Sequence, residues 1–161
     1  MSSNLRIGTG FDVHRFADNR PLYLGGILIP SARGLEGHSD ADVLLHAITD
    51  AVLGALCWGD IGQWFPDTDA KWKGSDSKML FRTVWKKAKE EGWGLVNCDN
   101  TIVAEQPKIA PHMRPITESI ASLFGVDANR VSVKATTFEK MGSLGRQEGM
   151  VAQSVVLLEK V

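Results

Sequence analysis

The segment over residues 34–58 constrains the fold most, because a glycine-bearing loop in it leads into a long helical pattern. Apolar residues recur there at intervals of three and four, which predicts the buried stripe of a helix. The stripe consists of Leu44, Ala47, Ile48, Ala51, Val52 and Ala55. Ser39 is a suitable N-cap residue, and Asp42 follows three residues later, as in a capping box. We therefore predict one helix over residues 39–58.

A row of polar residues lies on the same predicted helix, because Asp42, His46 and Asp50 are spaced by four residues. Side chains at that spacing share one face, and this face differs from the apolar stripe. Such a row is typical of a helix that carries chemistry. The solvated face of an ordinary amphipathic helix accounts for it as well, so the pattern alone leaves both interpretations open.

The first half of the chain contains strand patterns before this helix and a loop after it. Residues 5–13 predict a strand whose pairing is loosened by its glycines, and residues 22–29 predict a hairpin around a Gly-Gly pair. Residues 59–74, rich in Asp, Gly and aromatic residues, predict a long functional loop. A second helix is predicted over residues 75–91, with Ser75 or Asp76 as its cap.

The second half of the chain predicts one more helix among three strands. The helix covers residues 111–124 and is closed by Gly125. Strands are predicted over residues 94–104, 131–137 and 150–158, with a glycine-rich loop over 138–149. The resulting order, β-β-α-α-β-α-β-β, predicts an α+β (mixed α/β) fold. We expect a single domain over residues 1–161, with a mixed β-sheet and helices layered on one face.

The composition excludes several function classes. The chain has 161 residues, of which 43% are hydrophobic, and a net charge of −1, so no global basic field favours nucleic acid. No apolar run approaches the ~18 residues of a membrane span, and the segment Met1–Arg6 lacks an apolar leader. Cys57 and Cys98 lack the CxxC spacing and are predicted to be reduced core residues, which favours a cytoplasmic location.

A metal site is one interpretation of three residues in the first half of the chain. Asp12 and His14 are two residues apart in a predicted strand, so their side chains point to one side. With His46 they provide three ligands of the types that zinc uses, and three protein ligands with an open position describe a catalytic zinc. Ordinary histidines at a strand end and on a helix are the alternative.

Phosphate and sugar groups are plausible ligands of the neighbouring loops. His38 and Ser39 lie at the predicted helix N-terminus, where free N–H groups favour phosphate, although a plain cap is the commoner case. The carboxylates of Asp60, Asp67 and Asp69 fit sugar hydroxyls or a hard cation. Turn formation accounts for the same residues.

Two segments of the second half have the chemistry of a nucleotide diphosphate site. Residues 104–108 leave a strand, where backbone groups can contact a base and Lys108 can contact a phosphate. In residues 134–140, the hydroxyls of Thr136 and Thr137 and nearby N–H groups can hold a diphosphate, while Glu139 can bind a divalent ion. A routine connection and a common threonine pair are the alternatives.

Taken together, these motifs resemble the 2-C-methyl-D-erythritol 2,4-cyclodiphosphate synthase family of the non-mevalonate isoprenoid pathway. The resemblance extends from Arg6 to Leu158. It is carried by Gly10-Phe11-Asp12-Val13-His14, His38-Ser39-Asp40-Ala41-Asp42, Leu45-His46-Ala47 with Asp50, Gly59-Asp60-Ile61-Gly62, Phe65 to Asp69, Ala104 to Lys108, Lys134 to Lys140, and Gly145-Arg146 with Glu148-Gly149. No GxSxG, GxxxxGK[ST] or GxGxxG motif points to another enzyme class.

The resemblance implies a role for each motif. Asp12, His14 and His46 would bind one zinc ion, and Glu139 would bind a second divalent cation, Mg²⁺ or Mn²⁺. His38 and Thr137 would be catalytic. Substrate contacts would come from Ser39, Asp50, Asp60, Ile61, Gly62, Phe65, Pro66, Asp67, Thr68, Asp69, Ala104, Glu105, Gln106, Pro107, Lys108, Ile109, Ala110, Thr136, Phe138, Ser143 and Arg146.

The implied reaction is intramolecular. The 2-phosphate of 4-diphosphocytidyl-2-C-methyl-D-erythritol 2-phosphate would attack the β-phosphorus, release CMP and form the cyclic diphosphate. The resemblance also implies a homotrimer with active sites between subunits. Two departures from the family pattern stand at Ser143, where an aromatic residue is common, and at Phe138, where a polar residue is usual.

Two competing functions remain open on the sequence. A zinc phosphohydrolase would use water instead of the 2-phosphate as the attacking group, and Asp50 is its one candidate general base. A metal-stabilised oligomer that binds nucleotides or isoprenoid diphosphates without turnover is the other. Release of free phosphate would support the first, and affinity without turnover would support the second.

Overall fold

A five-stranded mixed sheet forms the centre of the protein. The computed structural model describes residues 4–161, so Met1–Ser3 and the prediction that involves them lie outside the described residues. The strands of this sheet are β1 (Leu5–Asp18), β4 (Arg33–Leu35), β5 (Trp93–Val103), β6 (Val131–Thr136) and β7 (Gly149–Lys160), and β2 (Leu22–Leu24) pairs with β3 (Ile27–Ile29) as a separate hairpin. The strand order of the sheet is β4-β1-β7-β5-β6, in which only the β5–β6 pair is parallel.

Three long helices pack with this sheet into one hydrophobic core. They are α1 (Val43–Ala55), α3 (Ser77–Glu90) and α4 (Met113–Phe124). Two single-turn helices, α2 (Ile61–Trp64) and α5 (Gly142–Gly145), lie within the segments predicted as loops. The short β4 was also missed, because three residues give no recognisable strand period. The α+β class with a mixed sheet is confirmed.

The N-terminus of α3 and the C-terminus of α4 follow the signals predicted from the sequence. Asp76 is the N-cap of α3, and its side chain accepts from the N–H of Lys78. Gly125 ends α4 in the left-handed conformation with a φ of 77°. The predicted hairpin turn is also present, since Gly25 and Gly26 both have positive φ between β2 and β3. In each case the decisive signal was local in sequence.

The beginning of α1 differs from the prediction. Asp42, and not Ser39, is the N-cap, so the helix starts at Val43. The Asp42 side chain is fully buried and accepts hydrogen bonds from the N–H groups of Leu45, Gly25 and Gly26 at 2.9, 3.0 and 2.6 Å. Asp42 therefore joins the hairpin to the helix instead of lying on a solvated face with His46 and Asp50.

The helix also ends earlier than predicted, at Ala55, and Cys57 follows it with a φ of 58°. Cys57 is exposed, so its assignment to the core was wrong. Cys98 is buried in β5 as predicted, and burial raises the pKa of its thiol to about 11. No helix in the stretch from residue 4 onward is long and apolar enough to cross a membrane.

The glycines of β1 do not loosen its pairing. β1 pairs with β7 in continuous antiparallel register from Leu5 to Arg15. A Cβ built on Gly10 would lie 1.8 Å from the carbonyl oxygen of Ala47, and one on Gly8 would lie 2.0 Å from that of Ala51. The two glycines thus let α1 pack directly on the strand backbone. Asp12 and His14 follow on the same side of β1, and this contact brings His46 to them.

Candidate functional site

Three side-chain atoms from β1 and α1 converge at one point. The Oδ2 atom of Asp12 lies 2.9 Å from Nε2 of His14 and 3.2 Å from Nδ1 of His46. These two histidine nitrogens are 3.2 Å apart. The three residues are half-buried, and they form a group able to hold a metal ion. The side chains predicted as zinc ligands are therefore brought together.

The outer nitrogen of each imidazole fixes which nitrogen faces this point. The Nδ1 atom of His14 lies 2.6 Å from the carbonyl oxygen of Glu36, which can only accept, so Nδ1 is the donor and Nε2 keeps its lone pair. The hydroxyl of Ser77 donates to Asp40 and lies 2.9 Å from Nε2 of His46. This hydroxyl must then accept from His46, whose Nδ1 keeps its lone pair.

When both imidazoles are neutral, the Oδ2 atom of Asp12, Nε2 of His14 and Nδ1 of His46 each point a lone pair at the same place. No hydrogen atom lies between them. A cation at the centre satisfies all three atoms at once. In tetrahedral zinc sites with bonds of about 2.0–2.1 Å, neighbouring ligand atoms are roughly 3.3–3.4 Å apart. The observed separations of 2.9–3.2 Å are close to that value. One carboxylate and two imidazoles are also ligand types that zinc uses, so the residues fit the ion.

The electrostatics of the cluster agree with this fit. Burial alone would raise the pKa of Asp12, but when His14 and His46 are protonated their hydrogen bonds and charges hold it at about 2. Burial alone would lower the pKa of His14, but the hydrogen bond and charge of Asp12 raise it above its usual value. The site therefore favours positive charge at its centre, whether from a proton on His14 or from a metal ion.

A chain of hydroxyl and carboxylate groups supports His46 from its outer side. The Oδ2 atom of Asp40 accepts from the N–H of Ser77 at 3.0 Å, and the Ser77 hydroxyl donates to the same carboxylate. The hydroxyl of Ser39 lies 3.2 Å from Nε2 of His46. Such outer groups orient a ligating histidine and fix its tautomer. Sequence analysis missed Asp40 and Ser77 as contributors, because Ser77 is 31 residues from His46.

We expect the Ser77→Ala variant to bind zinc about 10–100-fold more weakly, which is the usual effect of removing an outer partner of a ligating histidine. Ser77 is the first residue of α3, and the cap at Asp76 remains, so the helix should form normally. Competition with a chromophoric chelator measures the affinity. Ser122→Ala, at an exposed serine of α4, is the matched control and should bind zinc normally. An unchanged affinity in Ser77→Ala would contradict the supporting role.

The pocket beside this cluster collects many of the predicted site residues. Its volume is about 290 Å³. It is lined by His14, Gly37, His38, Ser39, His46, Ile61, Gly62, Phe65, Asp67, Trp72 and Leu80. His38 and Ser39 lie in the loop that connects β4 to α1, several residues before the helix begins. The predicted contribution of the helix N-terminus at His38 is therefore wrong, because Asp42 occupies the cap position.

The segment 59–74 is tied to α1 by a carboxylate of that helix and is ordered by aromatic contacts with Trp58 and within itself. The Oδ1 atom of Asp50 accepts from the N–H of Ile61 at 2.7 Å, and burial raises the pKa of the Asp50 carboxyl. Trp64 stacks on Trp58 at 5.9 Å, and Trp72 meets Phe65 edge to face at 4.9 Å. These contacts fix the wall of the pocket. The sequence indicated the aromatic loop but not that Trp72 lines the pocket.

Several predicted residues of this segment stabilise turns. The Oδ1 and Oδ2 atoms of Asp60 accept from the backbone and side chain of Gln63 at 2.9 and 2.7 Å, so Asp60 caps α2. Asp69 caps the next short helical turn by accepting from the N–H of Lys71. The pocket lining does not include Asp60, Pro66, Thr68 or Asp69. Their neighbours Ile61, Gly62, Phe65 and Asp67 do.

A second pocket contains most of the predicted nucleotide residues. Its volume is about 150 Å³, and its lining shares no residue with the first pocket. It is lined by Ala104, Pro107, Lys108, Ile109, Ala110, Met113, Ala135, Thr136 and Thr137. The loop after β5 and the end of the parallel neighbour β6 form it together. Gln106 lies in an adjoining depression with Pro107 and Arg33.

The loop after β6 is organised by Glu105 and Thr137. The Oε1 atom of Glu105 accepts from the N–H groups of Phe138 and Lys140 at 3.1 and 3.0 Å. The N–H of Glu139 donates to the hydroxyl of Thr137 at 3.2 Å. These three N–H groups are therefore bonded within the loop, and the prediction that backbone N–H groups here hold a diphosphate stays a prediction. The carboxylate of Glu139 and the side chain of Phe138 are exposed.

Ser143 and Arg146 line neither of these two pockets. Ser143 is an exposed residue of α5, and Arg146 follows that helix. The Nε atom of Arg146 pairs with Oε1 of Glu148 at 2.8 Å on the surface. Within one chain, these two predicted residues therefore lie outside both pockets.

Comparison with known proteins identifies the family. The YgbB family profile matches residues 5–159. A 2-C-methyl-D-erythritol 2,4-cyclodiphosphate synthase of Geobacillus sp. (strain WCH70) is 55% identical over 155 residues, which cover 96% of this chain and 98% of that protein. The synthase of the same name from Bacillus pumilus (strain SAFR-032) is 54% identical over 156 residues, which cover 97% and 99% of the two chains.

Solved structures give the same result. The bifunctional IspDF from Campylobacter jejuni matches with a TM-score of 0.95 and 44% identity over 99% of this chain, which spans 43% of that longer protein. A 2C-methyl-D-erythritol-2,4-cyclodiphosphate synthase in its CDP-bound form matches with a TM-score of 0.88 and 38% identity, over 96% of this chain and all of that one. The chain belongs to the YgbB family, the family of the 2-C-methyl-D-erythritol 2,4-cyclodiphosphate synthases.

Proposed function

We propose that this protein converts 4-diphosphocytidyl-2-C-methyl-D-erythritol 2-phosphate to 2-C-methyl-D-erythritol 2,4-cyclodiphosphate and CMP, as a phosphorus–oxygen lyase. The proposal rests on the converging donor atoms of Asp12, His14 and His46, of which the two histidines line one pocket with His38. Family membership of the chain supports it. The family match covers residues 5–159, and we propose that one domain comprises residues 1–161.

The reaction needs no nucleophile from the protein. An oxygen of the 2-phosphate forms a bond to the β-phosphorus, and the bond from that phosphorus to the CMP oxygen breaks, so CMP leaves with the electron pair. The protein has to hold the two phosphates in line and stabilise the negative charge that spreads over them. A small set of cationic or hydrogen-bonding groups is sufficient for this task.

The side chains in and beside the first pocket supply these groups. Asp12, His14 and His46 hold zinc, which when bound supplies Lewis-acid polarisation of a phosphate oxygen. His38 hydrogen-bonds the reacting phosphate, and Ser39 lies beside it. Ile61, Gly62, Phe65 and Asp67 contact the erythritol part, and Asp60 and Asp69 cap the turns that present them. Asp50 acts through Ile61, because its carboxylate holds that backbone N–H at 2.7 Å.

The side chains of the second pocket supply the nucleotide contacts. Residues 104–110 and Thr136 hold the cytidine, and Phe138 lies at the exposed edge of the same loop. Thr137 stabilises the reacting diphosphate from the side opposite His38. Glu139 holds a second divalent cation, Mg²⁺ or Mn²⁺; one protein carboxylate suits an ion that is bound mainly by substrate phosphates. The CDP-bound relative supports a cytidine nucleotide as the ligand.

A homotrimer would bring the two pockets to one active site. The pockets share no lining residue within one chain, although the reaction needs both. The side of β1 that faces away from α1 exposes Ile7, Phe11 and Val13 at 72%, 62% and 55% of their surface. We therefore propose that the helices layer one face of the sheet and that neighbouring copies cover the other. Ser143 and Arg146 then belong to the region around these contacts.

We expect the Ile7→Glu variant to dissociate to monomers and to lose cyclisation while it still binds zinc. A charged side chain at a buried apolar contact lacks a partner and is strongly unfavourable. Native mass spectrometry measures the number of chains per particle. The matched control is Leu28→Glu, which changes a residue that is 59% exposed on β3 and should leave trimer and activity intact. A trimeric, active Ile7→Glu variant would contradict the proposed contact.

Phosphorus NMR of the purified protein with the substrate, Zn²⁺ and Mg²⁺ tests the reaction. Cyclic diphosphate with CMP is the expected result, and a chelator should abolish it. His38→Ala and Thr137→Ala should slow product formation without loss of the fold. Free inorganic phosphate would instead indicate a phosphohydrolase, and nucleotide affinity without turnover would indicate a binding protein. Either outcome would overturn the proposal. The cytoplasmic location stays a prediction.

A further inference from the structure

Three consecutive carbonyl groups around His38 are held by fixed donors. The Nη1 atom of Arg20 donates to the carbonyl oxygen of Gly37 at 3.0 Å, and its Nη2 atom donates to that of Ser39 at 2.7 Å. The N–H of Gly74 donates to the carbonyl oxygen of His38 itself at 2.7 Å. One guanidinium group thus bridges the residues on both sides of His38.

The backbone determines where the His38 ring lies. Among residues 4–161, no side chain hydrogen-bonds the His38 imidazole, although the residue lines the metal pocket. Its loop connects β4 to α1 without regular secondary structure of its own. The loop is also tied at Glu36 and Asp40, whose N–H groups donate to the carbonyls of Arg15 and Ser75 at 2.8 and 3.1 Å, and the Ser39 hydroxyl lies 3.2 Å from His46. Between these points, the bonds from Arg20 and Gly74 are the ones that hold the carbonyls of residues 37–39. The aim of the ring therefore depends on these bonds.

We propose that Arg20 is a positioning residue, which clamps the carbonyls of Gly37 and Ser39 and thereby aims His38 at the reacting phosphate. The proposal rests on the proposed function, because it takes the role of His38 from there. Hydrogen bonds from a charged donor are stronger than neutral ones. The planar guanidinium also offers two separate nitrogens in a fixed geometry, which the single ammonium group of a lysine lacks.

The test compares Arg20→Met and Arg20→Lys with the unchanged enzyme. We expect Arg20→Met to lower kcat by about 10–100-fold with KM changed less than about twofold, since misplacing a catalytic group by about 1 Å costs up to this factor. Arg20→Lys should recover only part of the loss. Zinc content should be unchanged in both variants. Arg114→Ala, at an exposed arginine of α4 paired only with Glu118, is the control and should keep full activity.

A double-mutant comparison separates positioning from a direct substrate contact. In the His38→Ala background, Arg20→Met should change the residual rate by less than about twofold, because there is no ring left to position. A full additional loss in that background would overturn the proposal, since Arg20 would then act independently of His38. A raised KM with unchanged kcat would also overturn it, because that result indicates a uniform binding contact.

A second readout does not need turnover. With ¹³C-labelled histidine, the zinc-loaded protein should give four ring signals, from His14, His38, His46 and His112. Arg20→Met should shift the His38 signal and increase its motional averaging while the His112 signal stays in place. An unchanged His38 signal would overturn the clamp. If the protein forms no cyclic product at all, the proposed function fails, and this spectrum still decides whether Arg20 orders His38.

Discussion

We expect the His46→Ala variant to lose cyclodiphosphate formation almost completely while it keeps the fold of the unchanged protein. His46 contributes one of the three donor atoms that converge with Asp12 and His14. Its removal leaves two protein ligands, which is fewer than a catalytic zinc site has. Metal catalysis contributes several kcal/mol of charge stabilisation, and each 1.36 kcal/mol is tenfold in rate. The expected loss is therefore about a thousandfold or more.

The fold should survive because the core does not depend on the metal ligands. The apolar face of α1 is fully buried, and the N-cap at Asp42 has its own backbone donors, whereas His46 lies on the pocket side of the helix. Metal analysis should show strongly reduced zinc occupancy in His46→Ala. The circular dichroism spectrum should match that of the unchanged protein. Both measurements are made on the same purified sample as the activity assay.

The matched control for this prediction is His112→Ala. His112 lies before α4, outside the metal pocket, so its removal should leave zinc occupancy and activity unchanged. If His46→Ala unfolds as metal-depleted zinc fingers do, the metal site is structural and the assigned catalytic role is wrong. If it keeps both zinc and activity, the three-residue cluster is not the site.

The metal ligands could be predicted from sequence because each lies in an element with a clear period. Asp12 and His14 are two residues apart on a strand, and His46 lies on a helix whose apolar residues recur at intervals of three and four. The cap at Asp76 and the stop at Gly125 were recognisable for the same reason, since caps are local signals. Local pattern and family resemblance together therefore gave the cluster.

Residues that act across the fold could not be predicted in this way. The cap of α1 was misassigned because its partners include Gly25 and Gly26, which come from a hairpin 16 and 17 residues away. Ser77 and Asp40 support His46 through contacts that no spacing rule contains. Arg20 reaches Gly37 and Ser39 only because the chain turns back. Each of these roles depends on tertiary packing.

The role of the glycines of β1 also depends on tertiary packing, because they allow α1 to lie against the strand backbone. We expect Gly10→Ala to destabilise the protein by at least about 3 kcal/mol, at or above the upper end of ordinary overpacking. The new Cβ would lie 1.8 Å from the carbonyl oxygen and 2.8 Å from the amide nitrogen of neighbouring turns of α1, at Ala47 and Ala51. Backbone atoms cannot rotate away, so the helix itself has to move.

Movement of α1 would also damage the metal site. Gly10 precedes Asp12 by two residues on the same side of β1, and His46 precedes Ala47 in the helix. Pushing the helix off the strand separates the Nδ1 atom of His46 from Oδ2 of Asp12, which are now 3.2 Å apart. The variant should therefore bind zinc more weakly than the unchanged protein, even under conditions where it is still folded. Chemical denaturation and a chelator competition measure the two effects separately.

Gly54→Ala is the matched control, because it adds the same methyl group at the same interface from the other side. A Cβ on Gly54 would meet only the carbonyl oxygen of Thr9, at 3.7 Å, which is ordinary contact. Replacing a helical glycine by alanine there should stabilise the protein by about 0.5–1 kcal/mol.

A second test adds Ala47→Gly to Gly10→Ala. No rescue is expected, since the clash at Gly10 involves the backbone carbonyl of residue 47 and not its side chain. Full rescue, or a Gly10→Ala variant as stable as Gly54→Ala, would mean that direct packing of α1 on bare strand backbone does not hold the metal ligands together.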